Sequence, residues 1–117
     1  MNEDMLRRWR QAEAETAAAG IGPWTAKPPF TRMLLALNLP VRPPHYAEFW
    51  SNVLSMGVYF AAVWGLLMWA LLWRQSATPL AVGVSASILA GVLFGLWMAL
   101  YYRRAKRKHN LSDWSQL

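Results

Sequence analysis

The chain has 117 residues, a formal charge of +6 and 56% hydrophobic residues, which leaves room for one domain at most. It has no cysteine, so disulfides, thiolate nucleophiles and thiolate metal sites are excluded. Its twelve basic residues leave two long gaps free of charge and cluster beside apolar segments. Anionic lipid headgroups are therefore the expected partner of that charge, and nucleic acid is not.

From Asn2 to Ala19 the pattern is helical. Asn2 is a capping residue, Glu3 and Asp4 suit the positive end of the helix dipole, and Gly20 is a natural stop. Glu3 with Arg7 and Asp4 with Arg8 stand four apart. Met5, Leu6, Trp9 and Ala12 form a narrow apolar stripe, suited either to docking on the chain itself or to contact with a membrane or partner. Gly22, Pro23, Pro28 and Pro29 then break the chain. A second short helix is expected from Pro29 to Leu37, with Asn38 near its end, and Phe30, Met33, Leu34 and Leu37 follow the i, i+3, i+4, i+7 spacing. It is too short to span a bilayer, so it is expected to lie in the interface plane or to pack against the hairpin. Pro40, Pro43 and Pro44 force an extended linker, and the next helix is expected to begin near His45.

Val53 to Trp73 carries no charge over 21 residues, a length of about 31 Å against a hydrocarbon thickness of about 30 Å. A polar connection, Arg74 to Thr78, precedes a second uncharged stretch from Pro79 to Tyr102, with Thr78 and Pro79 expected as N-cap and first-turn residues. So short a loop makes the two helices antiparallel neighbours. Trp50 and Trp73 bracket the first span, and Tyr101 and Tyr102 end the second, as aromatic residues do at headgroup level. The fold expected is an all-α membrane protein: a two-helix transmembrane hairpin with spans at about 50–73 and 79–102, preceded by short cytoplasmic or interfacial helices. It divides into an N-terminal region, 1–44, the hairpin, 45–102, and a basic tail, 103–117. The first long apolar run follows a polar, proline-broken region, so it is expected to be a retained anchor and not a cleaved signal. Six basic residues precede the first span, five follow the second and only Arg74 lies in the loop. The positive-inside rule thus puts both termini in the cytoplasm.

The most specific pattern is a set of small residues four apart in the second span, Gly83, Ser87, Gly91, Gly95 and Ala99, matched by Gly57, Ala61 and Gly65 in the first. In lipid, close backbone approach over small residues is a main route to helix association. A turn centred near Ser76 sets Gly57 opposite Gly95, Ala61 opposite Gly91 and Gly65 opposite Ser87, and leaves Gly83 as the contact for another subunit. His45, Glu48 and Asn52 stand three and four apart and are read as one helix face at the mouth of the first span, an interfacial polar cluster that ties the linker to the helix. A carboxylate-bridged metal site would need more acids than Glu48, and a haem held by His45 and His109 would sit outside the hydrocarbon, so no metal, cofactor or catalytic residue is assigned. Pro43, Pro44, His45 and Tyr46 read as Pro-Pro-x-Tyr, a WW-module ligand pattern that a proline linker explains equally well. Arg103, Arg104, Lys106, Arg107 and Lys108 form a juxtamembrane cluster for anionic lipid. Trp114, in the short polar tail from Leu111 to Leu117, is available to the interface or a partner.

The stretch Pro43 to Trp69, PPHYAEFWSNVLSMGVYFAAVWGLLMW, with Phe94 to Arg104, FGLWMALYYRR, and the closing HNLSDW, resembles a family of small bacterial inner-membrane proteins classed as a domain of unknown function. The resemblance implies bacterial origin and an inner-membrane location and carries no chemistry. The function expected is that of a non-enzymatic small inner-membrane protein acting by association, as accessory subunit of a larger complex or as a homo-oligomer. A pore-forming oligomer is the alternative, with Ser85 and Ser87 as thin support for a polar lining.

Overall fold

The computed structural model describes residues 2–117. No strand occurs among the described residues, and the helices fall into two compact units. One, the terminal unit, combines the chain up to Glu48 with Tyr101–Leu117. The other, the hairpin unit, is Phe49–Leu100. The N-terminal region and the tail, expected as separate segments, are thus parts of one unit.

In the terminal unit α1 (Glu3–Ala18) starts at Asn2, whose side chain accepts from the Met5 N–H at 2.9 Å. It stops where Gly20 takes a positive φ of 79° and the Ile21 N–H reaches back to the Thr16 carbonyl at 3.0 Å. The same device ends α3 (Pro29–Ala36), with Asn38 at φ 60° and Leu39 bonded to Leu34 O, and α5 (Leu80–Lys108), with Asn110 at φ 50° and Leu111 bonded to Lys106 O. A left-handed residue followed by an aliphatic one satisfies the orphan carbonyls of the last turn and reverses the chain. A single turn, α2 (Pro23–Ala26), occupies the proline-broken stretch, and a 3-10 turn covers Pro44–Tyr46.

Trp9, Ala12, Tyr46, Leu111 and Trp114 are the buried core of this unit, with Met5, Ile21, Leu35 and Val41 packed round them. Burying each of the large side chains contributes about 2 kcal/mol from area alone. The stripe on α1 therefore docks on its own chain. Trp114 is also interior, meeting Trp9 edge-on at 6.5 Å between ring centres and Tyr46 at 6.2 Å, so it is not free for an interface or partner. The turn at Asn110 folds Leu111 and Trp114 back onto α1, a reversal too short to show as periodicity.

In the hairpin unit α4 (Phe49–Met68) continues into a wider π turn (Trp69–Trp73), where the Arg74 N–H reaches five residues back to Trp69 O at 2.9 Å. Phe49–Trp73, 25 residues with a mean hydropathy of 1.7, and Leu80–Lys108, 29 residues with 2.0, are both long and apolar enough to cross a membrane. The Pro79 carbonyl accepts from Val82 and Gly83, so Pro79 is the cap and helix α5 starts one residue later than the Thr78–Pro79 pair implied. Thr78 instead shares a hydrogen bond with Ser76 at 2.9 Å. Helix α4 begins at Phe49 and not near His45. Pro43 and Pro44 fix a 3-10 turn, and Ala47 is extended at φ −82° and ψ 157°. His45, Glu48 and Asn52 consequently do not share a helix face. His45 lies in the turn, Glu48 is exposed before the helix, and Asn52 is buried within it.

Candidate functional site

Between α4 and α5 the small residues make a seam at backbone distance. A Cβ placed on Gly91 would lie 2.6 Å from Gly57 O and 2.7 Å from Ala61 Cβ, and one on Gly57 would lie 2.9 Å from Gly91 O. One on Gly95 would run into Val53 O and come within 3.2 Å of Gly57 Cα. Real Cβ atoms do not approach carbonyls so closely, so these three positions exclude any side chain while the helices keep this spacing. Farther along, Gly65 faces the Ser87 hydroxyl, 2.6 Å from its would-be Cβ, and that hydroxyl donates back to Gly83 O at 2.8 Å. Phe60 stacks on Phe94 at 4.3 Å between ring centres beside the seam, and Ala99 is buried. Gly83 differs from its expected role. Trp73, held edge-on against Trp64 at 5.6 Å, covers it, and a Cβ there would meet Trp73 Cε3 at 2.9 Å. The Gly83 position is closed within the hairpin by an aromatic ring.

Toward the connecting loop the seam opens into an apolar groove of about 630 Å³, lined by Gly65, Trp69, Trp73, Gly83, Val84 and Ser87 among others. No charged side chain lines it. The groove has the shape and chemistry for a hydrocarbon chain or another apolar helix, and none for acid–base work.

The terminal unit holds the polar groups. Glu15 accepts from the Ser112 N–H, from Ser112 Oγ at 2.9 Å and from the Tyr46 hydroxyl at 3.0 Å. Burial works against its charge, but those donors and the Lys106 ammonium hold its carboxyl below the usual carboxylate range. Burial, and then the Glu15 charge, push the Tyr46 phenol up. Arg8 donates to the Trp114 carbonyl at 2.7 Å, and Lys106 pairs with Asp113 at 2.6 Å. Sequence spacing gave no sign of Glu15, since its partners lie 31 and 97 residues away.

His45 is 2% exposed, and neither ring nitrogen has a hydrogen-bond partner. Its ring meets Tyr102 edge-on at 4.7 Å, and the Tyr102 hydroxyl donates to Thr25 O at 2.8 Å. Burial first, and the nearby His109 charge second, push the imidazole down to about 4, so it is neutral at pH 7. Among the described residues no three His, Cys, Asp or Glu come together in a way that could hold a metal. Of the basic run, Arg103, Arg104, Arg107 and Lys108 are exposed and Lys106 is half-buried on the last turns of α5, where cations suit the negative end of the helix dipole.

Fold and site together define a class: a small all-helical protein built on a two-helix hairpin of membrane length, with its polar groups in a second, aromatic-cored unit. The chain belongs to a family of unknown function, DUF6404, whose sequence model matches residues 3–117. No curated protein and no solved structure matches it.

Proposed function

We propose that the protein is a non-enzymatic membrane protein of the bacterial inner membrane, with both termini cytoplasmic, that acts by association as an accessory subunit or as a homo-oligomer. The observation that carries this reading is the apolar groove beside the seam, an uncharged indentation along a membrane-length hairpin, in which small residues alternate with Trp69, Trp73 and aliphatic side chains. Lipid gives little hydrophobic force between helices, so an indentation that a side chain or helix of another protein can fill, gaining packing contacts against Gly65, Ser87 and the tryptophan rings, is where further association is favoured. The polar hub round Glu15 reads as structural, because its donors tie the tail, through Ser112, and the 3-10 turn, through Tyr46, to α1. The orientation rests on the basic residues, eleven of the twelve lying outside the loop.

Extraction in native nanodiscs followed by mass measurement tests the proposal. The expected result is a particle whose protein mass exceeds the 13.3 kDa of one chain, as a multiple of it or as a complex with another protein, and no conductance in planar bilayers. A lone chain would contradict association, and stepwise single-channel currents would transfer the reading to a pore.

A further inference from the structure

Helix α3 turns an apolar face outward. At 100° per residue Pro29, Met33, Ala36 and Leu37 fall on one side, with Arg32 at its edge, and all five are exposed. Met33 is 45% exposed and Leu37 64%, whereas Thr31, on the opposite side, is 5% exposed. The inner side takes Thr31 together with the half-buried Phe30, Leu34 and Leu35. The helix thus places a threonine inside and a methionine and a leucine outside, the reverse of what water alone would select. Trp24 lies beside this face. It is 67% exposed, and the Arg32 guanidinium sits 4.7 Å from its ring centre.

The segment that carries the face has charge of one sign. Between Glu15 and Glu48 there is no acidic residue, while Lys27, Arg32 and Arg42 lie in that interval. Glu13 of α1 reaches Lys27 at 3.7 Å, whereas the Arg32 guanidinium tops the exposed tryptophan next to Met and Leu, an arrangement that matches the level of a bilayer where acyl chains give way to anionic headgroups. The unit that carries α3 is also covalently continuous with the second membrane-length helix, since Tyr101 follows Leu100 within α5.

We infer that the outer face of α3, with Trp24, is a docking surface for the anionic leaflet of a bilayer. Met33 and Leu37 enter the acyl boundary, and Arg32 and Arg42 meet lipid phosphates. This rests on the reading that α4 and α5 insert in a membrane, and a separate label tests that reading by itself.

The chain has no native cysteine, so single labels are clean. Full-length Leu37→Cys, Gln11→Cys and Leu93→Cys variants carry a nitroxide in vesicles of phosphatidylglycerol and phosphatidylcholine, and in phosphatidylcholine alone. Gln11 is exposed on α1, and Leu93 is exposed on the hairpin. The ratio of oxygen to nickel-chelate accessibility at Leu37→Cys is expected to exceed that at Gln11→Cys at least threefold in anionic vesicles. It is expected to fall by half or more in phosphatidylcholine, because the phosphate contacts are electrostatic. Several outcomes would overturn the inference: a ratio at Leu37→Cys equal to that at Gln11→Cys, an immobile label closed to both reagents (contact with protein), or the same protection in both vesicle types. A low ratio at Leu93→Cys would instead show that the hairpin itself is not inserted.

Discussion

At Gly91 one methyl group decides whether the hairpin closes, because its Cβ would meet Gly57 O at 2.6 Å and Ala61 Cβ at 2.7 Å, neither able to swing aside. Gly91→Ala and Gly95→Ala are therefore expected to cost about 1–3 kcal/mol, the range for overpacking a closed contact. Gly65→Ala is expected to cost less, because it meets side-chain atoms of Ser87 alone, the hydroxyl, which can rotate, and Cβ at 3.1 Å, and no backbone atom. Val92→Leu, at an exposed position, is expected to be neutral. Thermal midpoints in detergent, followed by tryptophan fluorescence, check the order; no loss at Gly91→Ala or Gly95→Ala would show that the seam is not in contact. His45 supplies a prediction of a different kind. Its imidazole is pushed down to about 4 from an ordinary 6.5, so between those values the unfolded chain binds more protons than the folded one. Stability from neutral His45 is present above pH 6.5 and is lost as pH falls toward 4, by about 3 kcal/mol in all. Glu15 loses its bonds in the same direction on acidification, so the comparison that isolates His45 is with His45→Phe, which keeps a ring against Tyr102. Amide protection factors in the terminal unit, corrected for the intrinsic pH dependence of exchange, are expected to fall between pH 6.5 and 4 more steeply in the natural chain than in the variant. Parallel profiles would contradict a buried neutral imidazole.

Elements differed in how far the sequence revealed them. The two apolar helices were legible because charge vanishes over a whole span, and the four-residue spacing of small residues already set Gly57 near Gly95 and Gly65 near Ser87. Pro43 and Pro44 were legible as a linker, but their 3-10 turn was not, and treating His45 as helical joined it to Glu48 and Asn52 on a face that does not exist. Gly20 and Asn38 announced helix ends, whereas Asn110 inside a basic run did not, so the fold-back of Trp114 was hidden. Glu15 was hidden too, since pairing across 97 residues leaves no local pattern. The tail clamp is testable on those grounds. Glu15→Ala strands the Tyr46 hydroxyl and the Ser112 N–H and is expected to cost about 1–3 kcal/mol. The measurement is amide exchange at Ser112, expected to lose its protection; unchanged protection would mean the clamp does not hold the tail.

For the whole molecule, the terminal unit joins both ends of the chain, so its placement fixes their side of the membrane together. A reporter active only in the periplasm, fused after Leu117, is expected to be silent, and strong activity there would reverse the proposed orientation. Association through the groove is the central claim, and a cysteine pair on α5 tests it most directly. Val84 lines the groove, and Val82, two residues away and also exposed, does not. With a thiol-attached benzophenone photocrosslinker in native membranes, Val84→Cys is expected to give a discrete adduct, of twice the chain's mass for a homo-oligomer or of another defined mass for a partner, while Val82→Cys gives little. No adduct at Val84→Cys, or equal yields at both positions, would contradict a protein contact in the groove.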